Sequence, residues 1–122
     1  MAGDIQNFRD LVVWQKSMAL AKEVYRISNQ FPRDERFGLT GQVRRAALSV
    51  PSNIAEGHAR QGREFSHFLS IARGSLAEVE TQMLFAVEIG YLSLDQLDKA
   101  LALADEIKRM AAVLTKRLAA NR

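Results

Sequence analysis

Phe65, Leu69, Ala72, Leu76, Val79, Met83, Ala86 and Gly90 follow one another at alternating steps of four and three residues. That spacing keeps an unbroken stripe on one side of an α-helix and is the rhythm of a seam between packed helices. A strand cannot present it, because strand side chains change face at every residue. A seam this long needs partners, and three other segments have the periodicity to supply them. In the first, Leu11, Trp14, Met18, Ala21 and Tyr25 form one stripe, with Leu20, Val24, Ile27 and Phe31 beside it. Two stripes predict two neighbours. Asp10 is the expected N-cap, and Asn29 to Pro32 closes the helix.

The second helix is expected from about Phe37, with Val43, Ala47, Val50 and Ile54 as its core stripe. Pro51 removes a backbone donor and crowds the carbonyl of Ala47, so a kink is predicted there. A complete break is disfavoured, because the apolar phase continues to Ile54. Gly57 is the expected C-terminal cap. Gly90 ends the third helix, and Ser93 with Gln96 makes a capping-box pattern that opens the fourth. Leu97, Leu101, Ala104, Ala111, Leu114 and Leu118 carry that helix onward, with Ile107 and Met110 alongside. The fold expected is all-α: an antiparallel up-down-up-down four-helix bundle joined by short turns.

A chain of 122 residues with 48% apolar side chains can bury one core, so residues 1–122 read as a single domain with a short flexible N-terminus over about 1–8. There is no cysteine, which excludes disulfides, thiolate metal sites and thiol catalysis. The polar start MAGDIQNFRD lacks a signal-peptide core, and the longest uncharged run, Ala46 to Ala55, is far short of a membrane span. A cytoplasmic protein without membrane attachment is expected. Net charge is +3, unevenly spread: Arg36, Arg44, Arg45, Arg60 and Arg63 face Glu56 alone, while the following segment to Leu92 sets Arg73 against Glu64, Glu78, Glu80 and Glu88. A basic segment followed by an acidic one suits helices with complementary flanks; a phosphate-binding face is the other reading.

Catalytic and cofactor chemistry find little support. Glu64 and His67 form one Glu-x-x-His pair, but a di-iron bundle needs two, and the other histidine, His58, stands outside any second pair. The serines lack a nucleophile-elbow context, and GLTGQ and ARGS are too poor in glycine for a phosphate loop. The expectation is a non-enzyme with no cofactor and no metal.

The stretch QVRRAALSVPSNIAEGHAR, Gln42 to Arg60, carries the remaining signal. At 100° per residue, Arg45, Ser49, Ser52, Asn53 and Glu56 fall roughly opposite the core stripe, while Arg44 projects between Leu48 and Pro51. Three readings stay open. The line is a solvated face with one arginine lying along apolar surface. Or the small residues admit another helix and Arg45 pairs with Glu78 or Glu80. Or Arg44, Arg45, Arg60 and Arg63 contact phosphates.

Taken together, FRDLVVWQKSMALAKEVY, QVRRAALSVPSNIAEGHAR, FLSIARGSLAEVETQ and EIGYL run in order from Phe8 to Leu92. In these pieces the chain resembles the small bacterial bundle proteins of the 23S ribosomal RNA intervening-sequence family, related to the accessory variability proteins of diversity-generating retroelements. The resemblance implies a four-helix bundle, a ring-like homopentamer, no established enzymatic activity, and in the related branch nucleic-acid and reverse-transcriptase binding through a basic surface. Arg44, Arg45, Ser49, Asn53, Glu56 and Gly57 match the motif core, with Pro51 inside it. The function expected is a non-enzymatic oligomeric bundle with RNA or a nucleic-acid-associated protein as candidate partner. The alternative is a structural assembly or adaptor protein that binds no nucleic acid.

Overall fold

The computed structural model describes residues 7–121 and is built from four α-helices: α1 (Val12–Ser28), α2 (Leu39–Arg60), α3 (Gly62–Glu88) and α4 (Asp98–Ala120). No strand occurs among the described residues. Most of the N-terminus expected to be flexible lies outside them. Of its last two residues, Asn7 accepts the Arg9 backbone N–H at 2.8 Å and the Phe8 ring meets Trp14 edge-on at 5.2 Å.

Each helix neighbours the next in sequence, and α4 closes the bundle by packing on both α1 and α3. The contacts between α2 and α3 fix their direction. Glu35 just before α2 meets Tyr91 just after α3, Ser49 meets Ser75 midway, and Gly57 lies against Phe65 and Phe68. As α2 rises, α3 descends. Lys16 with Glu106 across α1 and α4, and Glu80 with Lys108 across α3 and α4, stand at comparable levels of their helices.

The seam of α3 is buried from Phe65 to Ala86, and Val43, Ala47, Val50 and Ile54 of α2 are fully enclosed. Each such large aliphatic side chain contributes about 1.5–3 kcal/mol of burial. Two stripes differ from the sequence reading. On α1, Leu20, Val24 and Ile27 make the core, joined by Phe31 just past its end, whereas Met18 and Tyr25 stay exposed. On α4 the buried line is Ala100, Leu103, Ala104, Ile107 and Ala111, while Leu101, Leu114 and Leu118 lie at its edge. Both helices offer two adjacent apolar stripes, and periodicity does not choose which one turns inward.

The helix ends show what the local residues do. Asp10 belongs to a short 3₁₀ turn, Phe8–Asp10, so α1 begins after Leu11 without a side-chain cap. Pro51 is buried inside α2, which runs through it to Arg60 without a break. Gly57 is therefore not a C-cap. The turn falls on Gln61 and Gly62, with φ of +65° and +59°. Gly57 sits inside the helix because a Cβ there would lie 2.9 Å from Phe68 Cβ and 3.0 Å from Phe65 Cδ1. At the other end, Gly90 at φ +85° lets the Tyr91 N–H reach back to the Ala86 carbonyl at 2.8 Å, a left-handed helix terminus. The Ser93–Gln96 capping box forms, but it opens a short 3₁₀ turn, Leu94–Leu97, that leads into α4 at Asp98. Gln96 also donates to Gln30 at 2.8 Å, tying that turn to the segment after α1.

Glu35 links two helix ends. One carboxylate oxygen accepts the Leu39 N–H at 3.1 Å at the start of α2, and the other accepts the Tyr91 hydroxyl at 2.7 Å. These two donors hold its carboxyl below the usual carboxylate range, the backbone N–H contributing most. Glu23, buried on α1, is lowered chiefly by its hydrogen bonds from Arg26.

Two glycines on this frame should respond oppositely to alanine. Gly57→Ala should destabilise by about 1–3 kcal/mol through overpacking. Gly74→Ala, where a Cβ meets nothing within 4 Å, should stabilise by up to about 1 kcal/mol through helix propensity. Urea denaturation of both variants checks the pair. Because the folded pKa values of Glu35 and Glu23 are depressed, their contribution is present above the unfolded carboxylate range and is lost as pH falls below that range and through the depressed folded values. Melting temperature should therefore drop on acidification below about pH 4.5, and a Glu35→Gln, Glu23→Gln double variant should show a shallower drop.

Candidate functional site

The motif on α2 divides between two seams. On the α1 side, Arg44 reaches across to the end of α1. Its Nε donates to Ser28 Oγ at 2.9 Å, and one terminal nitrogen donates to the Tyr25 carbonyl at 3.2 Å and to Asn29 Oδ1 at 3.0 Å. The guanidinium also lies 4.6 Å from the Tyr25 ring centroid. Tyr25 is in the last turn of α1, where carbonyls lack helical partners and the helix dipole is negative. A planar cation with several donors satisfies both demands at once. Arg44, which projects between Leu48 and Pro51, is the C-terminal clasp of α1.

On the α3 side, Ser49 Oγ and the buried Ser75 Oγ share a hydrogen bond of 2.8 Å, and Asn53 donates to both the carbonyl and the hydroxyl of Ser49 at 2.8 Å. Ser49 and Asn53 thus belong to a seam within the chain, while Ser52 of the same line is exposed. Arg45 is exposed and lines a shallow polar hollow of about 350 Å³ with Gln42, Glu78 and Gln82. It forms no ion pair among the described residues. Glu80, one of its two expected partners, is held by Lys108 at 2.7 Å.

Arg60 closes the α2–α3 corner. It donates to Glu56 at 2.7 Å, lies 3.3 Å from Glu64, and stands 5.1 Å from the Phe68 ring centroid. Glu56, followed by Glu64, raises its pKa further. Glu64 thus serves a structural corner, and His58 and His67 stack edge-on against Phe65 and Phe68. Arg63 is exposed in the first turn of α3. Arg44 and Arg60 are about 24 Å apart along α2, so the four arginines do not form one cluster. Among the described residues, no three His, Asp or Glu side chains gather as metal ligands, and no helix is long and apolar enough to cross a membrane.

One feature of this surface was not read from sequence. Met18, Tyr25 and Leu48 leave an apolar groove of about 490 Å³ between α1 and α2, rimmed by Lys22, Arg26 and Arg44. The available signal was the surplus stripe of α1, Met18 and Tyr25, which the core does not consume.

Fold and surface together define a class: an antiparallel four-helix bundle whose motif residues knit its own helices and whose apolar surplus lies outside. The chain belongs to the 23S rRNA-intervening sequence protein family, whose model matches residues 9–113. It is similar to the crystal structure of a protein of unknown function from the S23 ribosomal protein family of Bacteroides thetaiotaomicron. The two share 23% identity and a TM-score of 0.77, over 86% of this chain and 96% of that one, which supports the fold. No curated protein matches the chain significantly.

The two adjacent arginines should separate cleanly in stability. Arg44→Ala should cost about 1–3 kcal/mol, the range for charged hydrogen bonds and an emptied helix terminus. Arg45→Ala should stay within about 0.5 kcal/mol, as exposed substitutions do. Chemical denaturation of the two single variants checks this, and equal losses would contradict the clasp.

Proposed function

We propose that this chain is a non-enzymatic assembly module, a bundle that works by binding copies of itself and holding further partners on the resulting surface. The observation that carries this is the apolar groove between α1 and α2, where Met18, Tyr25 and Leu48 are exposed side by side. Apolar surface concentrated in a groove and rimmed by charge is the usual mark of a protein contact. The ring-like homopentamer implied by the resemblance is the stoichiometry this reading adopts, in a cytoplasmic setting and with no cofactor.

A second reading keeps RNA or a nucleic-acid-associated protein as partner. It is favoured by the exposure of Arg45 and Arg63, neither of which has an ion-pair partner among the described residues. Arg44 is engaged between α1 and α2 and Arg60 is held by Glu56 and Glu64, so both are poorer probes of it.

Sedimentation across a concentration series tests the first reading: the mass should exceed the 13.7 kDa of one chain, and a monomer throughout would refute it. A salt-dependent titration with structured RNA tests the second. Arg45→Ala, Arg63→Ala should weaken binding and flatten its salt slope. Binding equal to that of the parent protein would remove those arginines from any nucleic-acid contact.

A further inference from the structure

The exposed face of α3 complements the groove between α1 and α2 in both shape class and charge. At 100° per residue, Ile71, Glu78, Phe85 and Ile89 fall within about 40° of one another, so they form a single ridge. Ile71, Phe85 and Ile89 are all exposed, Phe85 to 52%. Glu78 lies in the ridge and Glu88 beside it, both exposed and in no ion pair among the described residues. The sequence from Gly74 to Asp98 contains no lysine or arginine; the cations nearest this part of α3 come from other helices, Arg45 across the hollow from Glu78 and Lys108 paired with Glu80, and Glu88 stands free of both.

The groove has the opposite sign. Lys22, Arg26 and Arg44 rim it, and no acidic residue lines it. Arg44 donates there to neutral groups, leaving its charge uncompensated by a carboxylate, while Arg26 is already paired with Glu23. Groove and ridge stand on different sides of the bundle, with α2 packed between α1 and α3. They cannot meet within one chain.

We infer that the groove between α1 and α2 of one copy receives the Phe85 ridge of α3 from a second copy. This rests on the self-association proposed above and names its two faces. Phe85 is the apolar anchor, entering a cavity floored by Met18, Tyr25 and Leu48, as aromatic anchors do at interface centres. Glu78 and Glu88 approach the cationic rim, which sets orientation and disfavours groove-to-groove or ridge-to-ridge pairing. Such a contact is heterologous: each copy offers a groove to one neighbour and a ridge to another. Repeated around an axis, it closes into a ring if the rotation permits.

The experiment uses two full-length variants and mass measurement by light scattering and sedimentation. Lys22→Glu, Leu48→Glu spoils the groove and spares the ridge; Phe85→Ala, Glu88→Lys does the reverse. All four positions are partly or fully exposed, and circular dichroism melts confirm folding. Each variant alone should fall to monomer mass. Their equimolar mixture should give a one-to-one heterodimer, since one intact groove meets one intact ridge and the chain of contacts ends there. A parent protein that is monomeric refutes the self-association beneath this inference. An oligomeric parent with unchanged variants overturns the faces and leaves self-association standing. Monomeric variants that give no heterodimer overturn the head-to-tail arrangement. Val12, Met110, Val113 and Leu114 line a separate hollow between α1 and α4, and loss of assembly in Val113→Glu with both variants intact would place the interface there.

Discussion

The close approach of α2 to α3 is the contact from which the rest of the bundle is positioned. It depends on Gly57, whose missing side chain lets Phe65 and Phe68 lie against the α2 backbone, and on Ser49 and Ser75, small enough to share one hydrogen bond between the helices. With that register set, the two ends of the pair follow. Glu35 meets Tyr91 at one end, and Arg60 gathers Glu56, Glu64 and Phe68 at the other. α2 is then oriented so that Arg44, on its opposite edge, reaches the last turn of α1. One short motif therefore organises three of the four helices.

This accounts for the concentration of arginine and small polar residues on α2 without any reaction. Arg44 neutralises a helix terminus and Arg60 pins a corner, while Ser49 and Asn53 satisfy one another in a seam. The charge asymmetry has a different consequence. Because α3 carries acids toward its C-terminal half and no cation beyond Arg73, and α1 with α2 rims an apolar groove with cations, the outer surface is polarised. Polarised apolar faces on different sides of a small bundle are suited to assembly.

Much of the fold was legible in sequence where a segment had one apolar stripe. The α3 seam and the core of α2 are such cases, as is the Ser93–Gln96 cap, whose two partners lie three residues apart. Legibility failed where local residues allowed two outcomes. α1 and α4 each carry adjacent stripes, and the inward one is selected by the neighbouring helices. Gly57 fits a C-cap by composition, yet its place is decided by rings that arrive from the next helix. The pairings of Arg44 with the end of α1 and of Glu35 with Tyr91 join residues far apart in the chain, and no local spacing announces them.

The sequence by itself determined that this protein is a bundle of four helices with an unbroken apolar phase through Pro51, because periodicity and turn chemistry are local properties of the chain. It also determined the polarity of its segments, basic along α2 and acidic along α3. Only the tertiary structure decided which arginines are consumed. Arg44 lies on an edge where α1 supplies acceptors and Arg60 lies between Glu56 of its own helix and Glu64 of the next, while Arg45, adjacent to Arg44, turns outward by the 100° that separates successive residues. The groove likewise exists only once α1 and α2 are packed, since it is the space that Met18, Tyr25 and Leu48 leave between them.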